Sequence, residues 1–115
     1  MEPQEYLPLT ETSFFILLCL AASPKHGYAI MKEVEAMSNA RVVLATGTLY
    51  SALRRMLVDG WIERLDDNSV MAGRERKLYQ LTEHGRRILE AEVGRLQGLV
   101  NLPQLKDLRE RGVTE

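Results

Sequence analysis

Between about Thr12 and Ala22 the chain is apolar on every side of a helix, and this run limits the fold more than any other segment. A helix of that kind needs cover from two directions. Its apolar centre, Phe14 to Ala22, is far shorter than the roughly 20 residues needed to cross a bilayer, and it follows an acidic rather than basic start. Neither a membrane span nor a secretion signal is expected. With 115 residues the chain fits one core, small enough for a second copy to help cover it. The single cysteine, Cys19, lies inside the apolar run and can form no internal disulfide, which favours a reducing, cytoplasmic setting.

The remaining elements follow from periodicity. Residues 1–10 hold two prolines and no pattern, and predict an arm rather than a packed element. Ser23-Pro24 ends the first helix. A second is expected from Tyr28 to Met37, with Ile30, Val34 and Met37 as its apolar stripe. In the connector from Ser38 to Ala45, Arg41-Val42-Val43-Leu44 suits a very short strand. A third helix begins near Thr46, capped by Thr46 or Thr48 and stopped by Asp59-Gly60. After Gly60 the segments Trp61–Leu65 and Lys77–Leu81 are strand-like, and Asp66 to Arg76 joins them as a hairpin with a mobile tip. Thr82 caps a long helix to Val100, about 28 Å at roughly 1.5 Å per residue. Leu89, Val93, Leu96 and Val100 form a seam along it that suits a partner helix. With Phe14 and Leu18 of the first helix, these are the candidate dimerisation residues. Pro103 ends or kinks the helix, and residues 103–115 form a tail or short helix.

The third helix has two unlike faces. Leu49, Ala52, Leu53, Met56 and Leu57 fall on one side at 3.6-residue spacing, whereas Ser51, Arg54 and Arg55 point the other way, flanked by Thr48 and Tyr50. No acidic residue occurs between Thr46 and Val58. The net charge is −1, but its distribution is uneven. Residues 41–87 hold 9 Lys and Arg against 6 Asp and Glu, whereas residues 1–40 hold 2 against 5 and residues 88–115 hold 4 against 5.

Three helices followed by a hairpin is the order of a winged helix-turn-helix, in which the third helix enters the DNA major groove. The fold class expected is mainly α with a small β-hairpin. Residues 11–81 form the winged helix-turn-helix and 82–102 the long dimerisation helix. Arg54 and Arg55 are expected on the outer face of the recognition helix, and Arg74, Arg76 and Lys77 in the wing. Arginine can pair with guanine O6 and N7 or clamp a phosphate. The hydroxyls of Thr48, Tyr50 and Ser51 suit phosphate oxygens near the helix start, and Tyr28 is a further candidate contact.

At these residues the sequence resembles the PadR family of bacterial transcription regulators. The matching motifs are Leu-Leu-Cys-Leu at 17–20, Lys25-His26-Gly27-Tyr28, Gly47-Thr48-Leu49-Tyr50-Ser51-Ala52-Leu53, Asp59-Gly60-Trp61-Ile62, and the run from Arg76 to Gly85. The resemblance covers roughly residues 9 to 100, with the short C-terminal region of one branch of the family. It implies a homodimeric repressor on double-stranded DNA carrying an inverted-repeat operator, released by a small aromatic or hydrophobic effector. Drug-sensing members of that branch carry tryptophan on the dimer helix, and this chain has no tryptophan after Trp61.

Competing uses of the same residues are plainer. Arg54 and Arg55 could form a solvated helix face, Arg74, Arg76 and Lys77 could keep a hairpin edge soluble, and Tyr28 and Tyr50 could be half-buried aromatics. His26 and His84 stand 58 positions apart and do not suggest a metal site, and no cofactor is expected. No phosphate loop, carboxylate pair or nucleophile beside a histidine suggests an enzyme. The rival function is a protein-interaction module on the same scaffold, docking an acidic partner without DNA.

Overall fold

The computed structural model describes residues 2–71 and 74–113, without the side chains of residues 66–76 and 112–113. A short 3-10 turn, Pro3–Tyr6, precedes α1 (Glu11–Ala22), β1 (Lys25–His26), α2 (Gly27–Met37) and α3 (Thr46–Val58). These are followed by β2 (Ile62–Met71), β3 (Arg74–Leu81), α4 (Glu83–Val100) and α5 (Pro103–Val113). The strands form one antiparallel sheet in the order β1-β3-β2, so helices dominate and the sheet is a small wing.

Local chemistry explains most boundaries. The Thr10 and Thr82 hydroxyls accept the backbone N–H groups of Ser13 (3.1 Å) and Gly85 (3.0 Å), capping α1 and α4. At the end of α3, Gly60 adopts φ +78°, and the Trp61 N–H returns to the Met56 carbonyl at 2.9 Å. Glycine suits this left-handed stop because it carries no Cβ. The start of α3 differs from expectation. Neither Thr46 nor Thr48 caps it: the N-cap is Ala45, with no side-chain hydrogen bond.

The core joins Ile16, Leu17 and Leu20 of α1 to Ile30 and Val34 of α2, Leu49 and Leu53 of α3, Ile62 and Tyr79 of the wing, and Ile88 of α4. The helix expected to be buried all round is open on one side, where Leu18 is 37% exposed and Phe14 is half-buried.

Two expectations on connectors are corrected. Residues 41–44 form no strand, because the chain turns through two successive left-handed residues, Asn39 (φ +54°) and Ala40 (φ +64°), and then drops Leu44 into the core. Buried Ser38 holds that turn through its hydroxyl, which accepts the Val42 N–H at 2.9 Å. The short strand lies at Lys25–His26 instead, opposite Tyr79 and Leu78. The hairpin is longer than expected, and Ala72-Gly73, within the segment from Asp66 to Arg76 expected to carry a mobile tip, falls outside the described residues.

Residues 2–10 of the arm are also packed rather than free. The Tyr6 ring stands edge-on to Trp61 (5.5 Å between centroids) and to His84 (5.9 Å), and the Leu9 N–H donates to Glu92 Oε2 at 2.9 Å. Glu92 is 2% exposed, and a buried carboxylate is costly unless it is paired. Arg95 supplies that pairing, its Nη2 at 3.0 Å from Glu92 Oε2.

Hydrogen bonding from Arg95 is the main influence holding the Glu92 carboxyl below its ordinary range, and the Leu9 N–H adds to it. A carboxyl that titrates lower when folded adds stability above its unfolded pKa, and that stability is lost as pH falls through the folded value. The urea midpoint should therefore fall as pH drops below the unfolded glutamate value of about 4.3, and less steeply for Glu92→Gln. Identical acid limbs for the two proteins would show that this carboxylate contributes nothing.

Candidate nucleic-acid interface

α3 presents the face expected of it. Leu49, Leu53 and Met56 are buried, while Thr48, Ser51, Arg54 and Arg55 are exposed on the other side. Because the apolar stripe is anchored in the core, the arginines cannot rotate inward without taking Leu53 out. The Arg55 side chain is 86% exposed and lies 4.0 Å from Asp59, a surface pair too weak to withhold it from a polyanion. The first turn of α3 carries no acidic residue and no side-chain cap, so its N–H groups and helix dipole face outward unneutralised.

Tyr50 is placed differently from its neighbours. Its ring lies over the start of α2, so close that a Cβ on Gly27 would approach the Tyr50 Cζ to 3.0 Å. Gly27 is thus the residue that lets α2 and α3 meet, and Tyr50 is half-buried rather than free on the outer face. Tyr28 is 68% exposed, and Lys32, one turn along α2, holds its ammonium 5.5 Å from the ring centroid. The four-residue spacing of Tyr28 and Lys32 along α2 is the sequence signal that could have found this contact.

The wing closes on the same region. His26 Nδ1 lies 3.1 Å from the Lys77 carbonyl oxygen, fastening β3 beside the start of α2 and leaving the Lys77 side chain exposed. Arg74 pairs with Met71 and Arg76 with Asp67 in the backbone register, and the side chains of both arginines lie outside the described part of the structure. His26 and His84 serve packing: the first ties strand to helix, the second meets Tyr6. Among the described residues no cluster of three His, Cys, Asp or Glu could hold a metal ion, and no helix is long and apolar enough to cross a membrane.

Cys19 is buried beside Glu33, whose Oε2 accepts from Sγ at 3.3 Å. Burial first, then the Glu33 carboxylate, pushes the thiol up to about 12. Alkylation of the native protein near neutral pH should be about a thousandfold slower than in denaturant. Equal rates, followed by mass spectrometry, would mean that the α1 core opens readily.

The proposed dimer residues divide. Leu96 (36%) and Val100 (57%) are exposed on α4, Leu18 is open on α1, and Phe14 and Val93 are half-buried against the core. Leu89 is corrected: at 6% exposure it belongs to the protomer's own core, because the first turns of α4 lie against α1. Glu92, set between Leu89 and Val93, interrupts the seam, and its spacing to Arg95 was a visible sign of a local pair.

This geometry is that of a winged helix-turn-helix carrying an additional long helix, with the cationic side of α3 turned to solvent. The chain belongs to the transcriptional regulator PadR-like family, whose model matches residues 16–91. An uncharacterized 37.1 kDa protein in transposon TN4556 of Streptomyces fradiae is 37% identical over 93 residues, 78% of this chain and 25% of that protein. The chain therefore spans about a quarter of that curated relative's length. Among solved structures, a PadR family transcription regulator from hypervirulent Clostridium difficile R20291 is similar at 27% identity and a TM-score of 0.66. That match covers 80% of this chain and 96% of the other. Bacillus subtilis PadR in complex with operator DNA shares the fold at 21% identity and a TM-score of 0.63, over 70% of this chain and 45% of the other.

Proposed function

We propose that this protein is a cytoplasmic, dimeric repressor that binds double-stranded DNA in a sequence-specific manner and performs no catalysis. The observation that carries this is the exposed, acid-free ridge of Thr48, Ser51, Arg54 and Arg55 on a helix whose opposite face is locked into the core. The structural likeness to a PadR bound to operator DNA supports the same use of the fold. Each subunit places α3 in a major groove, and two-fold symmetry calls for an inverted repeat with half-sites about 34 Å apart. Leu18, Leu96 and Val100 supply apolar surface for pairing, and a small aromatic or hydrophobic effector entering between the subunits releases the operator.

With a net charge of −1 per chain, long-range attraction to DNA is weak, and binding depends on local phosphate contacts. The logarithm of affinity should fall linearly with the logarithm of salt concentration, each neutralised phosphate contributing about 0.9 to the slope. Arg76→Ala should weaken all duplexes alike and flatten the slope by roughly two in a dimer, one phosphate per subunit. Fluorescence anisotropy titrations at several salt concentrations test this; a flat salt response would leave the protein-interaction role in its place.

A further inference from the structure

We infer that the N-terminal arm is a strut that sets the angle between α4 and the winged head, and through it the spacing of half-sites the dimer accepts; this rests on the DNA-binding function proposed above. Helix α4 is joined to the head at its first turn, where the Thr82 hydroxyl shares its one proton between the carbonyls of Gly60 (2.6 Å) and Trp61 (2.9 Å). Ile88 and Leu89 pack the next turns on the core, and Glu92 lies ten residues along the helix from Thr82, about 15 Å at roughly 1.5 Å per residue. The arm supplies the directional tie at that distance. Tyr6 bridges Trp61, at the root of the wing, and His84 on α4, and three residues later the Leu9 N–H is held by Glu92.

The apolar packing of α1 on α4 would tolerate sliding or tilting, because such contacts have no direction. A hydrogen bond from a fixed backbone N–H to a buried carboxylate does not. Glu92 is itself clamped by Arg95, so the acceptor cannot follow the arm if α4 swings. Leu9 leads directly into Thr10, the cap of α1, so the strut is continuous from the wing root through the arm to the core. A dimer joined through α4 converts the α4 angle into the separation of its two recognition helices. That separation is what an operator of fixed spacing measures.

The test compares wild type, Tyr6→Ala, Glu92→Leu and Glu92→Gln on the duplex that the wild type selects from a random pool, and on the same duplex with half a helical turn inserted between half-sites. A spin label at Val58→Cys, where the native side chain is 84% exposed, reports the distance between heads in each protein without DNA. The wild type should lose about a hundredfold in affinity on the lengthened duplex, as one of two tethered contacts is lost. For Tyr6→Ala and Glu92→Leu the penalty should shrink below about tenfold, and the label distances should broaden. Glu92→Gln keeps an oxygen for the Leu9 N–H but turns its amide N–H toward Arg95 Nε, so its penalty should fall between those of the wild type and Glu92→Leu. Wild-type penalties and distances in both disrupted variants would overturn the strut and leave DNA binding intact. A wild type that selects no duplex, or shows no distance between labels, would overturn the DNA-binding or dimer function and the strut with it.

Discussion

Replacing Arg54 and Arg55 together by alanine is expected to lower affinity for the selected operator by about a hundredfold or more. A bidentate arginine-guanine contact contributes about 1–3 kcal/mol of discrimination, and an arginine placed on phosphate instead adds to the salt-dependent part of binding. The single variants separate these roles. Arg54→Ala should relax preference at one position if it reads a base, whereas a phosphate contact should weaken every duplex equally. Stability should hardly change, since both side chains are exposed and the one described ion pair, Arg55 with Asp59, is a solvated pair 4.0 Å apart. Affinity that survives the double substitution would remove this ridge from the site.

Gly85→Ala should lower stability markedly, although it adds only a methyl group at a helical position. Alanine in place of glycine usually favours a helix by about 1 kcal/mol, but a Cβ at Gly85 would come within 2.8 Å of the Trp61 carbonyl carbon and closer still to its oxygen. The obstacle is backbone, held in turn by the Thr82 N–H at 3.0 Å, so it cannot move aside as a flexible side chain would. Overpacking of this kind costs about 1–3 kcal/mol or more, which exceeds the helix gain. Gly47→Ala is the control: a Cβ there meets nothing within 4 Å, so stability should hold or rise slightly. Urea denaturation of the two variants at matched protein concentration decides it, and an unchanged midpoint for Gly85→Ala would show that α4 can step away from the wing root.

What could be seen in the sequence was what depends on neighbours along the chain. The two faces of α3, the Gly60 stop and the Thr82 cap follow from spacing and turn chemistry within a few residues. The misplaced features depend on distant partners. Strand β1 is two residues long and exists because Tyr79 and Leu78 offer it an edge more than fifty positions away. The arm looked free because its contacts, Trp61, His84 and Glu92, belong to elements far along the chain. Leu89 and Leu96 share one periodic seam, yet only tertiary packing decides that the first is core and the second is open. Tyr50 likewise carries a phosphate-compatible hydroxyl, and only the fold shows its ring committed to the start of α2.

The central claim is that the α3 ridge reads DNA sequence. Its most direct test is a titration of the purified protein against labelled duplex from the promoter beside its own gene, and against scrambled duplex of equal length, at physiological salt. Preference for the promoter fragment by at least about a thousandfold is the predicted result. Equal, weak binding to both duplexes would contradict it.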